Sequence, residues 1–172
     1  MIKAVADSGP FIHLAVINQV DLLPRYFQPI LILPQVYDEV VTQGRGRAGA
    51  PELAAASRRG IARTVELVDQ GLMDQVRHVP AGIPDVSDVD VMVIALAIEQ
   101  QVIILSDDGS LRMFATTHGV PGIGSIGILV WARLDGVIPA LQPLLDQLIM
   151  AGFHLDPHGR VYQDALRRVG EL

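Results

Sequence analysis

The sequence predicts an α/β fold in which a mainly parallel sheet is covered on both faces by helices. Short β-branched runs alternate with helix-like segments along the chain, and that alternation implies right-handed strand–helix–strand crossovers. Half of the residues are hydrophobic but only 5% are aromatic, an aliphatic composition suited to strands buried on both sides. The 172 residues are enough for one domain with a sizeable core, and no repeat or linker divides them.

Taken in order, residues 2–6 read as a buried first strand ending at Asp7-Ser8-Gly9-Pro10. Asp or Ser can cap a helix and proline suits its first turn, so a helix starts near Pro10 and carries Phe11, Leu14 and Ile17. A short helix over 21–26 precedes a second strand over 29–33, bounded by prolines. Pro34 opens a helix with Val36, Val40 and Val41 as its apolar stripe. Residues 44–51 have loop chemistry and are expected to be mobile. Residues 52–74 look helical in parts, with poor periodicity, and 75–79 read as a short edge strand. Ser87 is the expected N-cap of a long helix over 88–100, with Val91, Ile94, Ala95 and Ile98 inward. A buried strand over 102–105 leads into Ser106-Asp107-Asp108-Gly109, then a helix over 110–118 with Gly119 as its C-cap. A last strand over 120–123 is followed by helices over 125–134, 139–151 and 157–169.

Several chemistries are excluded. Cysteine is absent, which removes disulfides, thiolate metal sites and cysteine nucleophiles. There is no Gly-x-x-x-x-Gly-Lys phosphate loop, no Gly-x-Ser-x-Gly elbow and no His-Glu-x-x-His zinc motif. His13, His78, His118, His154 and His158 have no metal spacing and read as isolated surface or core residues. No signal-like start and no apolar run long enough for a bilayer are visible, so a cytoplasmic protein without a membrane partner is expected. The net charge of −6 argues mildly against non-specific nucleic-acid binding. Arg45, Arg47, Arg58, Arg59 and Arg63 nevertheless fall in one region, and Arg160, Arg167 and Arg168 near the end, where a solvated face is their simplest reading.

Acidic residues stand out by position. Ligands of open parallel sheets bind beyond the carboxyl ends of the strands. Asp7 directly follows the first strand, and Asp107-Asp108 directly follow the strand over 102–105. Asp90 sits in the first turn of its helix, and Glu39 in the first turns of the helix after the second strand. Carboxylates gathered without counter-charge repel one another, and a hard divalent cation removes that repulsion. Each also has an ordinary reading. Asp7 could be a helix cap, Glu39 a solvated helix residue beside Asp38, and Asp88 and Asp90 partners of a helix's positive end. Asp107-Asp108-Gly109 could be a plain turn. Gly124–Gly127 could cradle a phosphate at a helix start, although tight turning explains it more simply.

Four segments in the same order resemble the PIN-domain family. Val5-Ala6-Asp7-Ser8-Gly9-Pro10 is similar to the family's opening strand, Asp and hydroxyl residue. Ile32-Leu33-Pro34-Gln35-Val36-Tyr37-Asp38-Glu39-Val40 resembles its second strand and Glu-bearing helix. Ser87-Asp88-Val89-Asp90 before Ile94-Ala95-Leu96-Ala97 resembles a Gly-Glu-x-Glu start of an Ala-rich helix. Ile103-Ile104-Leu105-Ser106-Asp107-Asp108 matches a strand ending in Thr-x-Asp, and the tail from Gly122 to Pro139 looks like one small prokaryotic subfamily.

That resemblance implies a three-layer α/β/α fold with about five strands in the order 3-2-1-4-5. It implies a ribonuclease dependent on Mg²⁺ or Mn²⁺. Many members are toxins of toxin–antitoxin pairs, often homodimers, inhibited by a small protein that enters the acidic groove. Carried over by position, Asp7, Glu39, Asp90 and Asp108 are the catalytic set, with Asp7, Asp90 and Asp108 on the metal. Ser8, Ser106, Asp107 and Asp88 are supporting residues. Asp90 stands where the family has Glu, and Ser87 and Asp88 where it has Gly and Glu. Asp90 is preferred over Asp88, with the choice left open. The expected organisation is one domain over 1–172, a core over 1–135 and a helical extension over 136–172, whose apolar helices either cover this chain's own sheet or pair two copies. The competing reading is a catalytically weak or inactive module that binds RNA or a protein partner.

Overall fold

The structure, a computed structural model, describes residues 1–77 and 86–172. Five parallel strands form one sheet among these residues: β1 (Ile2–Ala6), β2 (Phe27–Ile32), β3 (Ala62–Thr64), β4 (Ile103–Leu105) and β5 (Gly122–Ile123). Their order is β3-β2-β1-β4-β5, the order the resemblance implies. β1 is central, with Ala4 opposite both Ile30 of β2 and Ile103 of β4. Ala4, Val5 and Ala6 are wholly buried, as expected for a middle strand covered on both faces.

The covering helices are α1 (Ser8–Val16), α2 (Leu22–Tyr26), α3 (Pro34–Tyr37), α4 (Ala50–Arg58), α5 (Gln70–Val76), α6 (Asp88–Gln100), α7 (Gly109–Thr117), α8 (Ser125–Leu134), α9 (Gln142–Met150) and α10 (Arg160–Val169). α6 buries Val93, Ile94, Ala95, Leu96 and Ala97 completely, an apolar surface on nearly every side that only an interior helix can carry. Phe11, Phe27 and Phe114 are the bulkiest buried side chains, each stabilising by roughly 1.5–3 kcal/mol. Leu145 and Leu148 of α9 and Tyr162, Ala165 and Leu166 of α10 join the same core, so the apolar faces of the terminal helices pack into this chain itself. No helix among the described residues is long and apolar enough to cross a membrane.

Three local expectations are corrected. The edge strand is Ala62–Thr64 and not residues 75–79: Gln75 and Val76 end α5, and 78–79 lie outside the described residues. A three-residue strand with one buried side chain has too little alternation to be legible. Residues 44–49 form turns, with Arg47 N–H donating to Gly44 O at 2.9 Å. α4 already begins at Ala50, where Glu52 accepts the Gly49 N–H at 2.9 Å. Finally, α3 runs into a π-helical stretch, Asp38–Gln43, where the sequence predicts plain helix. It ends at Gly44, where a Cβ would lie 2.3 Å from Val40 O.

Candidate active site

Parallel strands deliver their carboxyl ends to one edge of the sheet, and the residues just beyond β1 and β4 meet there. Asp7 N–H donates to Leu105 O at 2.9 Å, tying the two strand ends together. Asp7 occupies the cap position of α1, yet its side chain makes no cap bond. The carboxylate turns instead to hydroxyls: Oδ2 accepts from Ser106 at 3.1 Å and Oδ1 from Ser8 at 3.5 Å. Ser106 is fully buried, and its Oγ also accepts the Asp108 N–H at 3.1 Å.

Asp108 and Asp90 combine a capping role with a place beside this group. Asp108 Oδ1 accepts from Ser110 N–H at 2.7 Å and Leu111 N–H at 3.2 Å, opening α7. Asp90 Oδ2 accepts from the N–H and hydroxyl of Ser87 at 2.9 and 2.7 Å, while Ser87 Oγ accepts the Asp90 N–H at 3.1 Å. These bonds use a single oxygen of each carboxylate. Asp88 is exposed and pairs with Arg77 at 3.2 Å, whereas the charge of Asp90 reaches Asp7. Glu39, exposed on the π-helical stretch, also acts on Asp7 and opens into a cavity of about 240 Å³ shared with Gln43 and Arg47. A wider stretch of helix at such a place is a common device for presenting a side chain.

Burial pushes the Asp7 carboxyl above the usual carboxylate range; contacts with the Ser8 backbone and the Ser106 hydroxyl pull it down, and the charges of Asp90 and Glu39 push it up again. Among the described residues it has no ion-pair partner. A partly buried, repelled carboxylate whose nearest side-chain partners are hydroxyls fits a hard cation such as Mg²⁺ or Mn²⁺. No three His, Asp or Glu side chains among the described residues close round one position.

Asp107, expected as a supporting residue, turns to the start of α8 and to α1. Its carboxylate accepts the Ser125 N–H at 2.5 Å, the Ser125 hydroxyl at 2.7 Å and a bond from His13 Nδ1 at 2.7 Å. It thereby occupies the start of α8, the place where a phosphate cradle at Gly124–Gly127 was a possible reading. Two glycines let it fit. A Cβ on Gly9 would lie 3.1 Å from Asp107 Cβ, and one on Gly124 would lie 2.7 Å from Asp107 Oδ1. His13 is the residue that sequence reading passes over as isolated. The signal was its spacing: Gly9 and His13 are four apart on α1, hence on one face, and Asp107 packs on that face.

Asp7, Ser8, His13, Asp107 and Asp108 line one open cleft of about 410 Å³ together with Phe153 and His154. Arg45, Arg47, Arg58, Arg59 and Arg63 are all exposed and make no ion pair among the described residues. The all-parallel sheet sets Asp7 and Asp107-Asp108 just beyond the carboxyl ends of two neighbouring central strands. A family model described as a PIN domain matches residues 3–171, and the chain belongs to that family, whose members are generally nucleases. No curated protein matches the chain.

Proposed function

We propose that this protein is a metal-dependent endoribonuclease that hydrolyses RNA phosphodiesters in the cleft beside Asp7. The observation that carries the reading is the Asp7 carboxyl, raised by burial and by the charges of Asp90 and Glu39, with no cation beside it among the described residues. Asp7, Asp90 and Asp108 would hold Mg²⁺ or Mn²⁺, directly or through water, with Glu39 completing the acidic set. When bound, the cation supplies hydroxide from water near neutral pH and offsets charge on the phosphate. The chain's own residues fix the arrangement. Ser106 holds Asp7 and the Asp108 N–H together, Ser8 steadies Asp7, and the exposed Arg47 beside Glu39 offers a guanidinium to the RNA backbone. RNA as substrate is supported by family membership; the wider role we attach to it is that of a cytoplasmic toxin, homodimeric, held in check by a small antitoxin protein.

The test is cleavage of end-labelled RNA in Mg²⁺ or Mn²⁺ by the wild type and by Asp7→Asn. Cleavage lost in the variant supports the reading; equal cleavage by both overturns it. A second reading, a weak or inactive module that binds RNA or a protein, is favoured by the capping bonds of Asp90 and Asp108. It expects RNA binding through the arginines with no metal-dependent thermal shift.

A further inference from the structure

His13 is the titratable side chain in the cleft that the carboxylate chemistry leaves unused. Its ring is held from two sides. Nδ1 lies 2.7 Å from Asp107 Oδ2, and the ring stands edge-on to Phe153 with centroids 4.7 Å apart and planes at 87°. Asp107 cannot drift, because its side chain is 6% exposed and Ser125 binds both of its oxygens. An ionised carboxylate has no proton to give, so Nδ1 carries the hydrogen and Nε2 is the atom left to act. The side chain is 34% exposed, and it shares the cleft with Asp7 and Asp108. His154 enters the same cleft but is exposed, and its Nδ1 makes only a 3.4 Å contact with Gly152 O. The groups facing the His13 ring are Asp107 before α7, Asp7 and Asp108 at the strand ends, and Phe153 and His154 between α9 and α10.

We propose that His13 in its imidazolium form, with hydrogen on both ring nitrogens, gives its Nε2 proton to the ribose oxygen that departs when the phosphodiester is cut, an inference that rests on the nuclease reading above. The oxygen of water bonds to phosphorus as the bond from phosphorus to the departing ribose oxygen breaks. The water releases one proton to solvent, the Nε2 proton passes to the departing oxygen, and Nε2 regains a proton from solvent. One water is consumed, leaving a phosphate monoester end and a hydroxyl end. Asp107 is the positioning residue: it accepts the Nδ1 hydrogen and sets the direction of the ring.

The experiment uses the full chain with Mn²⁺ and two RNAs of one sequence, one ordinary and one with sulfur in place of the departing bridging oxygen, which the product ends identify. Sulfur departs as a thiolate and needs no proton. His13→Ala and His13→Gln are expected to cut ordinary RNA about 10²–10⁴-fold more slowly, and to cut the sulfur-bridged RNA within a few-fold of wild type. Equal slowing on both RNAs, or no slowing on either, overturns the proposal. Gln retains an N–H for Asp107 if Ala unfolds. If the wild type cuts neither RNA, the nuclease reading falls and this inference with it. If it cuts both and the His13 variants match it, only this inference falls.

Discussion

Ser106 donates its hydroxyl to Asp7 across 3.1 Å, and that bond joins the carboxyl ends of two neighbouring parallel strands. The same oxygen accepts the Asp108 N–H, so one buried atom sets the relation of two proposed metal-holding residues.

Replacing Ser106 with alanine is therefore expected to cost about 1 kcal/mol, because two part-buried hydrogen bonds are lost together. RNA cleavage is expected to fall about 10–100-fold, the usual effect of removing support behind a metal ligand. Urea unfolding and cleavage rates check the two halves. Wild-type stability in the variant would mean that the hydroxyl is not the tie described.

Asp7→Asn separates stability from activity. A carboxyl raised in the folded state stabilises below its unfolded value of 3.8, and that contribution is lost as pH rises through the higher folded value. At neutral pH without metal, the charged, buried Asp7 therefore destabilises the wild type, and the neutral amide escapes this. The variant is expected to melt at a higher temperature than wild type in chelator, and to lose that lead when Mg²⁺ is added. A variant that melts lower than wild type in chelator would contradict the burial of a repelled carboxylate.

Gly124→Ala tests the packing around Asp107. The added methyl would sit 2.7 Å from Asp107 Oδ1 and 2.9 Å from Ser106 O, an overpacking that costs about 1–3 kcal/mol. In an Asp107→Ala background, part of that penalty is expected to vanish. A double-mutant cycle measures the difference, and strict additivity would separate the two residues.

Glu171 offers a pH test far from the cleft. Burial alone would raise its carboxyl, but the N–H groups of Gln142 and Leu141 and the Arg133 guanidinium outweigh it and hold it below its ordinary 4.5. Arg133 Nε donates at 2.6 Å, and Leu141 and Gln142 N–H at 2.9 Å. A lowered carboxyl stabilises above its unfolded value and loses that contribution as pH falls through the folded one. Glu171→Gln is expected to be less stable than wild type by about 1.5–3 kcal/mol at pH 7, with the gap closing below pH 4.5. A gap that persists unchanged at pH 3 would refute the charge-based account.

The central strands, α6 and the strand-end acids were legible because each rests on local pattern: short aliphatic runs, Ser87 before Asp90, and Asp immediately after a strand. β3 was not, since its three residues owe their place to pairing with β2. The π-helical stretch was equally silent, because Val36, Val40 and Val41 suit an ordinary helix as well. Asp107 shows the main limit. Two adjacent aspartates look interchangeable in sequence, yet one caps α7 while the other turns to α8 and His13. Nothing within the pair distinguishes them; contacts from distant segments do.

Asp7 is synthesised before Ser106, which lies 99 residues later, and Ser125, which fixes Asp107, comes later still. Neighbouring strands that must be brought together over such spans pair only once most of the chain is available. For the ribonuclease proposed here, a ribosome-bound fragment would carry the first aspartate without the partners that complete its cleft. The order of the chain itself would keep the unfinished protein from cutting the message it is read from.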